Sequence, residues 1–123
     1  MAGKRILIIE DDAAMRKVLH AQLRTAGYDA FPVADAVVAF AEIRKQPPDL
    51  ILLDLGLPGG GGLNLMQRLQ SIPKYSMIPV IVVSAQPRST GIVAEVIDKG
   101  AAAFFEKPTA PEALLAKIRE LIG

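Results

Sequence analysis

Short apolar runs separated by longer stretches of helical periodicity constrain this chain more than any other feature of its sequence. The runs at residues 5–10, 29–33, 50–54, 79–84 and 103–106 are rich in Val, Ile, Leu and Phe and read as strands. Three of them are nearly continuous apolar segments, which is how a strand buried on both faces reads. Between the runs, Met15, Val18, Leu19 and Leu23 share one helical face, and Gly27 follows where a left-handed stop would sit. Val37, Phe40, Ala41 and Ile43 mark a second helix ended by Pro47 and Pro48, and Leu63, Leu65, Met66 and Leu69 a third ended before Pro73. Val93, Val96 and Ile97 suggest a fourth before Gly100; Ala113, Leu114, Ala116, Lys117, Ile118 and Leu121 suggest a fifth opened by Pro111. Five strands and five helices in strict alternation predict an α/β fold, a doubly wound parallel sheet, because parallel strands need long right-handed crossovers.

Composition narrows the functional classes. A chain of 123 residues that is 51% hydrophobic can bury one sizeable core, so a single domain is expected. Fourteen basic against thirteen acidic residues leave a formal charge of +1, with the basic residues dispersed, so no direct nucleic-acid binding is expected. The lack of cysteine excludes disulfides and thiolate metal sites and makes the cytoplasm the simplest compartment. The apolar segment from Ile6 to Ile9 is too short for a signal peptide or a membrane span.

In doubly wound sheets the site lies beyond the carboxyl ends of the strands. Chemistry-bearing side chains stand there: Glu10, Asp11 and Asp12 after the first run, Asp54 at the end of the third, Ser84 of the fourth, and Glu106 and Lys107 of the fifth. Carboxylates gathered at one sheet edge repel each other, and a hard divalent cation relieves that cost. Mg2+ suits a site of few carboxylates, waters and a phosphate oxygen. Asp54 is then placed to act as a nucleophile forming an aspartyl-phosphate, with Lys107 supplying a point charge and Ser84 a hydroxyl donor. Plainer roles fall to other positions: Asp12 as a helix cap, His20 as an ordinary helix residue, and Met15 and Met66 as core fillers. Gly59 to Gly62 read as a flexible loop before the third helix, lacking the pattern of a phosphate-cradling loop.

Four segments together resemble the receiver domains of two-component response regulators, in order and spacing: Ile6-Leu-Ile-Ile-Glu-Asp-Asp12, Asp49-Leu-Ile-Leu-Leu-Asp-Leu-Gly-Leu-Pro-Gly59, Pro79-Val-Ile-Val-Val-Ser-Ala85 and Gly100-Ala-Ala-Ala-Phe-Phe-Glu-Lys-Pro108. The resemblance covers essentially the whole chain. It implies a flavodoxin-like receiver fold with strand order 2-1-3-4-5, and one receiver domain over residues 1–123 with any output domain outside this chain. It implies a phosphoacceptor switch rather than an enzyme, in which a sensor histidine kinase or histidine phosphotransfer protein donates to Asp54 in a Mg2+-dependent step. Asp11 would bind the metal directly, Glu10 through water, and Asp54 and the Gly56 carbonyl would complete the set. Ser84 would follow the phosphoryl group, Phe104 would turn inward when Ser84 moves, and Lys107 would be the family's lysine, joined to Pro108 by a cis bond.

Several residues depart from the family's usual pattern. Gly56 and Gln86, at positions that tune phosphoryl lifetime in the family, are uncharged; Phe104 lacks a hydroxyl; Ala102 and Ala103 stand where DNA-binding dimers of the family often carry acidic residues. A degenerate receiver serving only as a docking module is the alternative, yet the acidic and lysine positions are kept. A haloacid-dehalogenase-like phosphatase would want Asp where Gly56 stands. A flavodoxin-like cofactor domain would want aromatic loop residues, whereas the chain has no Trp and only Tyr28 and Tyr75 as tyrosines.

Overall fold

Parallel strands must each be followed by a crossover, and the chain alternates accordingly in a computed structural model that describes residues 3–85 and 91–123. The elements are β1 (Arg5–Ile9), α1 (Ala13–Thr25), β2 (Asp29–Val33), α2 (Ala36–Lys45), β3 (Leu50–Asp54), α3 (Gly61–Gln70), α4 (Pro73–Ser76), β4 (Val80–Ser84), α5 (Ile92–Asp98), β5 (Ala103–Glu106) and α6 (Pro111–Ile122). Five parallel strands pair in the order β2-β1-β3-β4-β5. Gln86 lies outside the described residues.

Both faces of the sheet are buried, which is why its central strands carry unbroken apolar runs. Leu7, Ile9, Ile51, Leu53, Val80 and Val82 pack beneath α2, α3 and α5, against Phe40, Ile43, Leu65, Met66 and Val96. The alternating set Ile6, Ile8, Leu50, Leu52, Ile81 and Val83 packs beneath α1 and α6, against Leu19, Leu23, Leu114 and Ile118. The register pairs Ile9 with Leu53, Asp54 with Val83 and Ser84 with Glu106, so the carboxyl ends of four strands form one edge.

The structure corrects the sequence reading in detail. Pro73, read only as a stop, is the first residue of the extra single-turn helix α4, a position where the missing N–H costs nothing. Its Tyr75 is buried edge-on to Phe40, with ring centroids 6.2 Å apart. Pro79 precedes β4 rather than opening it, because it has no N–H to give the ladder, though its carbonyl still accepts from the Ile51 N–H at 3.0 Å. Val37 is 81% exposed: the buried face of α2 is Ala36, Ala39, Phe40 and Ile43, rotated by one residue from the face expected. Val18 and Ile97 are likewise half exposed at the edges of their helices.

Nor are Gly59 to Gly62 a uniform flexible loop. Gly59 and Gly60 lie in a 3-10 turn with φ of 66° and 71°, whereas Gly61 and Gly62 already belong to α3. A Cβ on Gly62 would stand 3.0 Å from the Asp54 carbonyl oxygen and from the Leu55 Cα, so the first turn of α3 rests directly on the end of β3. Gly61 has helical φ (−58°), and a Cβ there would meet only ordinary contacts at 3.5 and 3.6 Å. We therefore expect opposite signs along the run. Gly62→Ala should destabilise by about 1–3 kcal/mol through overpacking, and Gly59→Ala by about 1–2 kcal/mol through left-handed strain. Gly61→Ala should stabilise by up to about 1 kcal/mol. Urea unfolding of the three variants checks this, and a Gly62→Ala protein as stable as the wild type would refute the close approach.

Candidate functional site

Because β1 and β3 are adjacent and parallel, the residues at their carboxyl ends are neighbours. Glu10 follows β1 with its N–H donating to the Val33 carbonyl (3.1 Å), and Asp54 closes β3. Both carboxylates are buried, with 2% and 6% exposure, and Ser84 at the end of β4 is equally enclosed at 1%. Asp11 is exposed beside them. One carboxylate oxygen from each of Glu10, Asp11 and Asp54 lies within 4.8 Å of the others, the sole grouping of this kind among the described residues. Asp12 points elsewhere. Its Oδ1 accepts the Met15 N–H at 2.9 Å, capping α1, while its own N–H donates to Glu10 Oε2 at 3.2 Å.

Lys107 enters from the far side of the sheet. Its N–H donates to the Ser84 carbonyl at 2.8 Å, tying the ends of β4 and β5 together. Its Nζ donates to Glu10 Oε1 at 2.7 Å and lies 3.5 Å from Asp54 Oδ1. Asp54 Oδ1 also accepts the Gly56 N–H at 2.9 Å, and a Cβ on Gly56 would be 3.3 Å from that oxygen. The Lys107–Pro108 bond is cis. Phe104 is buried on the α3 and α5 side of the sheet, so the aromatic already occupies the interior.

The charges are mutually coupled. Burial pushes the Glu10 carboxyl up to about 7, helped by its bond to Asp54, with Lys107 pulling the other way. Burial also acts to raise Asp54, but its bonds to Glu10 and the Gly56 N–H and the Lys107 charge outweigh it, leaving Asp54 below its ordinary value. Burial acts to lower Lys107, and the two carboxylates more than offset this, holding its pKa above the ordinary value. The two buried carboxyls are thus pushed in opposite directions, Glu10 up and Asp54 down. Three carboxylates against one ammonium leave a surplus of negative charge, and the donors are hard oxygens at one sheet edge. That donor set fits a hard divalent cation such as Mg2+ better than a soft one.

The sequence reading passed over Arg16. One turn into α1, its Nη1 donates to the Glu10 carbonyl at 2.9 Å and to the Asp11 carbonyl at 3.1 Å. The available signal was an arginine placed one turn after an acidic loop and its cap. Beside this loop an open groove of about 350 Å³ is lined by Asp12, Ala14, Met15, Val18 and Lys107, which accounts for the exposure of Val18.

The chain matches the family model described as the response regulator receiver domain over residues 6–119. Among curated proteins, it is 34% identical over 122 residues to the phosphate regulon transcriptional regulatory protein PhoB of Pseudomonas aeruginosa, covering 99% of this chain and 53% of that protein. It is 33% identical over 116 residues to the DNA-binding response regulator MtrA of Mycobacterium tuberculosis, covering 94% of this chain and 49% of that one. The chain therefore spans about half the length of these relatives. Among solved structures, the receiver domain of the sensor histidine kinase PA1611 of Pseudomonas aeruginosa, which has a magnesium ion coordinated in its active-site cleft, superposes with a TM-score of 0.88 at 28% identity, covering 99% of both chains. A CheY-like receiver domain protein of Methanospirillum hungatei gives 0.85 at 30% identity, covering 97% of this chain and 93% of the other. Among the described residues no helix is long and apolar enough to cross a membrane.

The raised Glu10 pKa has a definite signature in the metal-free protein. Between 4.5 and about 7 the folded chain keeps a proton that the unfolded chain has released, so this contribution is fully present below 4.5 and is lost as pH rises through 7. Asp54 shifts the other way and titrates below this window, so it does not cancel the slope. With metal chelated, stability should fall from pH 5 to 7 by no more than roughly 1.4 kcal/mol per pH unit, and Glu10→Gln should flatten the fall. Urea midpoints across that range test this; a wild-type fall that persists unchanged in Glu10→Gln would assign it to another group.

Proposed function

Because the chain belongs to the response regulator receiver domain family, we propose that it is a phosphoacceptor switch in which Asp54 takes a phosphoryl group from a phosphohistidine donor. The observation that carries this reading is Lys107, whose ammonium reaches both buried carboxylates, Glu10 and Asp54, beside the exposed Asp11. Asp54, at the end of the central strand β3 and within reach of Lys107, is the nucleophile: a carboxylate oxygen attacks phosphorus, the P–N bond to the donor imidazole breaks, and the nitrogen keeps the electron pair and takes up a proton. Lys107 then faces a phosphoryl oxygen instead of a bare carboxylate, and the Ser84 hydroxyl, beside Asp54 on the next strand, donates to another. The Gly56 N–H holds Asp54 Oδ1 in place during the attack.

Mg2+ would be held by Asp11 and Asp54 with the Gly56 carbonyl, and by Glu10 through water, and when bound it would supply charge neutralisation at the phosphoryl oxygens. A sensor histidine kinase or a histidine phosphotransfer protein is the donor, and the groove along α1 beside Lys107 is open to it. Residues 1–123 act as one receiver domain in the cytoplasm, a regulatory module rather than a turnover enzyme. The PhoB and MtrA relatives are regulators of transcription or DNA-binding by name. Here such work would fall to an output domain or a separate partner, with Ser84, Phe104 and Lys107 relaying the state of Asp54 to it.

Labelling by a small acyl phosphate in Mg2+ tests the assignment. Wild-type protein should acquire an acid-labile phosphoryl group, Asp54→Ala should acquire none, and chelation of the metal should abolish labelling. Lys107→Met should label on the order of 100-fold more slowly. Labelling of Asp54→Ala at the wild-type rate would overturn the reading.

A further inference from the structure

The loop that carries Glu10 and Asp11 belongs to neither β1 nor α1, yet an exposed carboxylate on it has to be held to within a fraction of an ångström if it is to ligate a metal. Besides the Glu10 N–H bond to Val33 and the Lys107 contact with Glu10, three ties bind this loop to itself and to α1. The Asp12 N–H donates to Glu10 Oε2 at 3.2 Å, Asp12 Oδ1 caps the Met15 N–H at 2.9 Å, and a single terminal nitrogen of Arg16 donates to the main-chain carbonyls of Glu10 (2.9 Å) and Asp11 (3.1 Å). Of these, only the Arg16 bridge engages Asp11 itself. Arg16 is anchored in turn within the first turns of α1, where its own N–H donates to the Asp12 carbonyl at 2.9 Å.

Resting on the receiver reading above, we propose that Arg16 is a positioning residue of the divalent-cation site. By clamping two successive carbonyls with one guanidinium nitrogen, it fixes the main chain from which the Asp11 carboxylate projects toward Glu10 and Asp54. The guanidinium touches carbonyl oxygens and none of the reacting atoms, so it acts through Asp11. Supporting partners of this kind orient the ligands of metal sites, and losing one costs roughly 10–100-fold in affinity.

The sign of the effect separates positioning from charge. A guanidinium near a divalent cation repels it, so removing Arg16 by charge alone would tighten Mg2+ binding. Loss of the clamp would weaken it. Isothermal titration with Mg2+ on wild type, Arg16→Met and Arg16→Lys reads the difference, at a temperature where melting curves of the metal-free proteins show all three folded. We expect Arg16→Met, which keeps the apolar stem without donors, to bind Mg2+ roughly tenfold more weakly. Arg16→Lys, which keeps N–H donors on a shorter, differently shaped head, should lose less than Arg16→Met does. Mg2+ binding by Arg16→Met within twofold of wild type, or tighter, would overturn the proposal. Failure of wild-type protein to bind Mg2+ or to label on Asp54 would instead count against the receiver reading itself.

Discussion

Two carboxylates buried side by side are an unstable arrangement, and the structure tolerates Glu10 and Asp54 at the ends of β1 and β3 because the Lys107 ammonium lies 2.7 Å from one and 3.5 Å from the other. An ionised carboxylate left unpaired in such a site costs several kcal/mol, and breaking a buried pair by removing one partner typically costs about 3–5 kcal/mol. Lys107 sits just past β5, the edge strand, so the charge pair holds the edge of the sheet to its centre. The remaining geometry follows from that attachment. The Lys107 N–H bonds the Ser84 carbonyl, Ser84 ends β4 beside β3, and Phe104 lies within β5, three residues before Lys107. One side chain and one backbone hydrogen bond therefore connect Asp54 to the ends of β4 and β5.

Much of this arrangement was legible in the sequence because parallel, doubly covered sheets obey tight rules. An apolar run with no polar alternation must be an interior strand, and polar residues that end such runs must sit at one edge. What was not legible depends on which of several equivalent residues the tertiary structure selects. Val37 and Phe40 are equally apolar, but only one rotation of α2 buries Phe40 with Ala39 and Ile43, and that rotation leaves Val37 in solvent. Pro73 signals a stop and a start alike, so the single turn of α4 was invisible between them. Gly59 and Gly62 look the same as letters. One is needed for its positive φ and the other because a backbone lies 3.0 Å from where its Cβ would be, and only the second reason is set by long-range packing. Arg16 escaped notice because its partners are main-chain carbonyls, which the sequence does not distinguish from any others.

On the proposed function, the same geometry limits how a switch can work in this chain. A modification can shift a conformational equilibrium only by as much as it interacts differently with the two states. Phe104 is already 7% exposed and inside the core, and with no hydroxyl it leaves no polar group seeking a partner there. In this conformation the aromatic therefore has little further burial to gain, and what a phosphoryl group changes directly is the charge at Asp54. Placing a phosphoryl group on Asp54 removes the carboxylate that Lys107 now shares with Glu10, adds oxygens within reach of Lys107 and Ser84, and changes the balance that raises the Glu10 pKa to about 7. Lys107 would then divide itself between Glu10 and the new oxygens, and that redistribution at the end of β5 is where the proposed relay through Ser84 and Phe104 would begin.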